Sequence, residues 1–112
     1  QARQAMGAER AFTSYEAMLD AGEVDAVLVA TPMHLHVPMS IAALRRNIAV
    51  LSEVTAGVSV DECRQLVHAA SASSAVYMMS ENYCYTKSSI FIESLVRAGY
   101  FGEPYYAEAE YL

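Results

Sequence analysis

Basic residues are scarce: seven Lys and Arg stand against thirteen Asp and Glu, for a net charge of −6. A nucleic-acid-binding domain needs a cationic face, and the only basic pair is Arg45-Arg46, so that class is excluded. The acidic balance favours solubility and says little else. Long apolar runs are also missing. The longest is about five residues, whereas a helix crossing a bilayer needs about 20. No basic segment followed by an apolar core opens the chain, so no secretory signal is expected. Cysteine is sparse: Cys63 and Cys84 follow no metal or redox spacing, which suits a reduced, cytoplasmic protein. Repeats and low-complexity tracts are absent too.

What remains is apolar and patterned. Hydrophobic residues make up 54% of 112, with a mean hydropathy of +0.19, which argues against disorder. A domain of this length buries roughly two-thirds of its unfolded surface. The chain opens with Gln1 rather than Met, and residues 1–7 read as the tail of a helix, so a fragment or a processed segment is expected.

Residues 25–36, DAVLVATPMHLH, carry the most information. The run at 26–30 is apolar throughout, as in a parallel strand covered on both sides. Thr31-Pro32 then ends the ladder, since Pro has no N–H to donate. His34 and His36 follow before a helical segment begins. In open α/β sheets, ligands bind beyond the carboxyl ends of the strands.

Around that strand (24–31) the pattern alternates strand and helix. An extended piece is expected at 10–13, and the Thr13-Ser-Tyr-Glu16 spacing of a capping box opens a brief helix ending near Gly22. A helix is expected at 37–46, where Arg45-Arg46 suit the negative end of its dipole and Asn47 is a left-handed stop. Next comes a strand at 48–52. The Ser59-Val-Asp-Glu62 capping box starts a helix through about residue 72. A strand at 75–80, with Met78-Met79 in the core, precedes a helix at 87–98. Gly99 and Gly102 flank a turn. The run 105–112 alternates, placing Tyr106, Glu108 and Glu110 opposite Tyr105, Ala107, Ala109 and Tyr111. Alternation marks a half-exposed strand of antiparallel type and suggests that a second domain begins near Gly102.

Four motifs in order resemble the glucose–fructose oxidoreductase/inositol dehydrogenase family, Gfo/Idh/MocA. Its A-T-P-N-x-x-H is matched by Ala30-Thr31-Pro32-Met33-His34-Leu35-His36, and its V-x-E-K-P by Leu51-Ser52-Glu53-Val54-Thr55, which follow Val50. Its G-H-N-Y-R-F is matched by Ser80-Glu81-Asn82-Tyr83-Cys84-Tyr85, and its G-E-x boundary by Gly102-Glu103-Pro104. The resemblance covers essentially the whole chain. It implies an α/β fold: a partial doubly wound, Rossmann-like parallel sheet lacking its first strands. Residues 1–101 would close a dinucleotide-binding domain, and 102–112 would supply the first strand of an α+β substrate domain. It also implies an NAD- or NADP-dependent oxidoreductase that moves a hydride to or from a sugar or polyol, and a homo-oligomer at full length.

The resemblance makes Thr31, Pro32, His36, Glu53 and Asn82 the candidate cofactor-binding residues. Thr31 and Pro32 would line the crevice, and Glu53 would contact the ribose on the nicotinamide side. The Asn82 amide could face the nicotinamide or satisfy loop backbone groups. His36 could hydrogen-bond the ligand or brace the turn, while His34 reads as a surface side chain. A metal site from His34, His36 and Glu53 lacks a stricter ligand set, so no metal is expected. Tyr83, Tyr85, Tyr105 and Tyr106 suggest aromatic stacking at the domain junction. One departure is chemical: the family's Lys, commonly given a catalytic role, is Val54 here, and a valine moves no proton. The alternative reading is therefore a non-catalytic ligand-binding protein that kept the fold.

Overall fold

The computed structural model describes residues 2–110, which form two compact units meeting between Ser80 and Glu81. The first unit contains helix α1 (Ala2–Ala5), helix α2 (Tyr15–Asp20), strand β1 (Ala26–Val29), helix α3 (His36–Leu44), strand β2 (Ala49–Glu53), helix α4 (Val60–Ala72) and strand β3 (Tyr77–Ser80). The strands form one parallel sheet in the order β1-β2-β3. Ala26 faces Ala49 and Val29 faces Ser52 across the first pair; Val50 faces Tyr77 and Glu53 faces Ser80 across the second. Parallel neighbours need a crossover, and α3 and α4 supply the two.

Local chemistry sets the helix ends. Ser59 caps α4 by accepting from the Glu62 N–H at 3.2 Å, and Glu62 reaches back to the Val58 N–H at 2.9 Å. For α2 the cap is Ser14, which accepts from Ala17 N–H, one residue later than the Thr13 box predicts. After α3 the chain turns through Asn47 at φ 57°, a conformation that Asn tolerates better than most side chains. Its Oδ1 accepts from the Ser74 N–H and the Ser73 and Ser74 hydroxyls, which ties this turn to the segment before β3. Arg46 carries its charge away from α3 to Glu16 and Asp20 of α2, at 2.8 and 2.7 Å.

The core lies on one side of the sheet. Val27, Val29 and Val50 meet Val37, Ala43 and Leu44 of α3, Leu66 of α4 and Leu19 of α2. Burying each large aliphatic side chain contributes about 1.5–3 kcal/mol. The opposite face is not covered: Leu28 is 64% and Met78 60% exposed. This corrects the expectation of a β1 buried on both sides, and of Met78-Met79 in the core. The side chains that alternate with them onto the other face find helices, whereas Leu28 and Met78, in register with Leu51 between them, remain open. β1 and β3 are also shorter than their apolar runs, because pairing stops at Val29 and starts only at Tyr77, while β2 is shifted one residue to Ala49–Glu53. Residues 10–13 form no strand.

The second unit holds a 3-10 turn (Tyr83–Tyr85) and helix α5 (Lys87–Arg97), capped by Thr86 accepting from the Ser89 N–H. Gly99 and Gly102 sit at φ 78° and 67° in the turn that follows, a region costly for residues bearing a Cβ. Residues 105–110 are not a strand, contrary to the alternation, and the rest of that predicted strand, Tyr111 and Leu112, lies outside the described residues. A strand exists only through a paired neighbour, and this segment pairs with none among the described residues. Tyr83, Tyr85, Tyr105 and Tyr106 are all exposed. Among the described residues, no helix is long and apolar enough to cross a membrane.

An apolar sheet face beside an unpaired β1 edge is a template for association. The 112-residue chain is therefore expected to self-associate in sedimentation velocity, and Leu28→Lys to shift it toward monomer. A monodisperse monomer over a wide concentration range would contradict this reading of the surface.

Candidate functional site

Because the sheet is parallel, all three strands of the first unit release the chain at the same end. Thr31 lies two residues beyond β1, Glu53 closes β2, and the loop 54–59 leads into α4. Thr31 and Glu53 are thus brought to neighbouring positions on one rim. Asn82 belongs to the second unit, where it precedes the 3-10 turn and its carbonyl accepts from the Tyr85 N–H at 3.1 Å.

After β1, Pro32 sits at φ −55°, ψ 139°, and its carbonyl accepts from the Leu35 N–H at 2.8 Å. That bond closes a single 3-10 turn, Met33–Leu35, before α3 begins at His36. Met33, His34 and Leu35 are exposed. His36 is not, at 1% exposure. Its Nε2 lies 2.7 Å from the Thr31 carbonyl oxygen and its Nδ1 2.7 Å from the Thr55 carbonyl oxygen. Carbonyls only accept, so each ring nitrogen that bonds here does so as the donor. A neutral imidazole donates through one nitrogen, a doubly protonated ring through both. Both polar atoms of the ring are directed at backbone, which is the bracing geometry of the two roles open from sequence.

Glu53 is exposed, and its Oε2 accepts from the neighbouring Val54 N–H at 3.3 Å. A carboxylate so placed keeps most of its lone pairs for hydroxyl donors, and that donor set fits the ribose of a nucleotide. Val54 is 38% exposed beside it, and the Val54–Thr55 peptide is cis. Thr55 Oγ1 donates to the Gly57 carbonyl at 2.8 Å, which folds the loop tightly. Thr31 Oγ1 donates weakly to Met39 Sδ at 3.6 Å. Beneath the rim, Ser52 is fully buried and the Tyr77 hydroxyl is buried without a hydrogen-bond partner. Burial pushes the Tyr77 phenol above its ordinary value.

Two further rim residues, Thr55 and Gly57, were not among the candidates named from sequence. Thr55 contributes a backbone carbonyl, which no side-chain pattern signals. Gly57 was legible as a lone glycine between elements: a Cβ there would meet Val37 Cγ2 at 3.0 Å and Cys63 Sγ at 3.1 Å, so its role is space. Among the described residues, no three His, Cys, Asp or Glu side chains converge on a metal position. A cleft of about 450 Å3 between α3 and α4, lined by Arg45, Gln65 and His68 among others, contains none of the candidate residues. It lies where those helices end, away from the carboxyl rim.

Comparison with known proteins follows this geometry. A family model described as an oxidoreductase family with an NAD-binding Rossmann fold matches residues 1–81. A glycosyl hydrolase family 109 protein from Stenotrophomonas maltophilia is 32% identical over 105 residues, covering 94% of this chain and 23% of its own length. The chain thus spans less than a quarter of that relative. Myo-inositol 2-dehydrogenase from Lactobacillus plantarum superposes with a TM-score of 0.85 at 22% identity, over 91% of this chain and 30% of that one. The WlbA dehydrogenase from Bordetella pertussis, solved with NADH and UDP-GlcNAcA, superposes at 0.83 with 25% identity, over 91% and 29%.

Crowding at Gly57 generates a test. Gly57→Ala must push Val37 and Cys63 by a few tenths of an ångström, and overpacking of this kind costs about 1–3 kcal/mol. A lowered denaturant midpoint in the full-length protein is expected; an unchanged midpoint would show that the loop has room.

Proposed function

The chain belongs to the Gfo/Idh/MocA oxidoreductase family, with its NAD-binding Rossmann fold, and from that premise we propose a dinucleotide-binding rim on Thr31, Pro32 and Glu53, with His36 beneath it, and Asn82 as a further cofactor contact carried by the second unit. In this reading the full-length protein passes a hydride between the nicotinamide of NAD or NADP and a secondary alcohol, or its ketone, on a sugar or polyol. The observation that carries it is the placement of Thr31 and Glu53 on one strand-end rim, with His36 set between the Thr31 and Thr55 carbonyls beneath it. Ligands of open α/β sheets bind in that place.

The residues divide the work by chemistry. The Thr31-Pro32 backbone forms one wall, held in shape by the Pro32–Leu35 bond. The Glu53 carboxylate accepts from ribose hydroxyls. The Asn82 amide offers a donor and an acceptor to the nicotinamide carboxamide. When bound, the dinucleotide supplies the hydride acceptor or donor. Residues 1–101 are assigned to the dinucleotide domain and 102–112 to the start of a substrate domain, in a cytoplasmic homo-oligomer. The sugar class draws support from the names of the similar proteins, which include an inositol dehydrogenase and a glycosyl hydrolase.

Val54 favours a second reading, a binding protein without turnover. The position beside Glu53 that would carry the family's lysine holds an aliphatic side chain, so a proton donor or acceptor must come from elsewhere. Isotope transfer from labelled NADH or NADPH to a panel of keto sugars, and the reverse with sugars, polyols and glycosides, separates the two. Transfer in the full-length protein, little altered by Val54→Lys, is the expected result. No transfer across the panel, with activity appearing only in Val54→Lys, would establish the second reading instead.

A further inference from the structure

We infer that His36 is a positioning residue for the dinucleotide site, setting the spacing between the β1 exit that carries Thr31 and the β2 exit that follows Glu53 without touching the ligand. The inference rests on the rim proposed above and adds a residue whose action is indirect.

The need for such a tie follows from the ladder. The β1–β2 register ends at Val29 and Ser52, and Thr31 and Thr55 lie beyond it, where no sheet hydrogen bonds hold the strand-end segments side by side. His36 spans that gap with 2.7 Å contacts to both carbonyls. Those lengths sit at the short end for N–H···O bonds. The ring is itself anchored from a third direction. It opens α3, where Val37 and Ser40 are buried in the following turn. Three segments therefore converge on one imidazole: the β1 exit, the β2 exit and the start of the crossover helix.

Burial decides against direct contact. A side chain 1% exposed, with both ring nitrogens on backbone, offers a ligand neither surface nor a free polar atom. Its influence runs through the main chain, one residue from Thr31 to Pro32 and two from Thr55 back to Glu53. Because the partners are carbonyls, no side-chain substitution in either loop replaces this tie. A displacement of about 1 Å at a reacting or binding group can cost about a hundredfold in rate, so a loosened loop is expected to register clearly in affinity.

The test is a mutant cycle in the full-length protein, reading NAD(H) and NADP(H) dissociation constants by titration calorimetry well below the melting midpoint of each variant. His36→Leu fills the space with no ring nitrogen to donate and is expected to weaken dinucleotide binding about tenfold. His36→Gln retains a donor and is expected to fall between it and wild type; it carries the test if His36→Leu does not fold. The loss caused by Glu53→Gln is expected to shrink in the His36→Leu background, because a displaced carboxylate has less to lose. Merely structural support would lower the melting midpoint and leave the two losses multiplicative. Wild-type affinity in folded His36→Leu and His36→Gln, or independent losses in the cycle, would overturn the positioning role alone. A wild-type protein that binds neither dinucleotide would overturn the rim and this inference together.

Discussion

Parallel, in-register pairing of β1 with β2 is the constraint on which the rest depends. With Ala26 opposite Ala49 and Val29 opposite Ser52, both strands run out at the same end. Thr31 and Glu53 become neighbours although they are 22 positions apart. An antiparallel pairing would send those residues to opposite ends of the sheet and leave nothing to bridge. Parallel pairing also demands a crossover, and α3 begins at His36. The residue that starts the crossover is thereby delivered to the gap between the two strand exits.

The same register explains the uneven burial. Side chains alternate across a strand, so Val27, Val29, Val50 and Ser52 share the face beneath α3 and α4, while Leu28, Leu51 and Met78 share the other. The first face is close-packed, and in the loop after β2 a Cβ on Gly57 would crowd Val37 of α3 and Cys63 of α4. The second is apolar and open. A sheet whose composition suits two covering layers has one here, and its stability leans on a single helix layer and on the turns that seat it. Asn47 and its three serine-derived hydrogen bonds hold the amino ends of β2 and β3 together, as His36 holds the carboxyl exits of β1 and β2.

Much of this was legible because it is written in local chemistry. The Ser59 capping box, the Asn47 turn and the apolar centres of three strands each follow from a few adjacent residues, and the strand-end position of Thr31 follows from Pro32. What was not legible depends on partners distant in sequence. Thr13 and Ser14 are both competent caps, and only the fold chooses Ser14. Met78 and Met79 read as core because their run is apolar, yet exposure depends on what lies above the sheet. The alternation at 105–110 signals a strand that no described neighbour completes. His36 left two roles open, since its partners are backbone carbonyls that any residue carries, and Thr55 was invisible for the same reason. The family motifs narrowed function further than periodicity did, and they depart at Met33, Val54 and Thr55, of which Val54 is the chemical departure.

The most direct measurement is a crystal structure of the full-length protein with NAD or NADP bound. The account predicts the dinucleotide across the carboxyl ends of β1 and β2, with ribose hydroxyls on the Glu53 carboxylate and His36 still buried between the Thr31 and Thr55 carbonyls. A dinucleotide bound away from that edge, for instance in the cleft between α3 and α4, would contradict it.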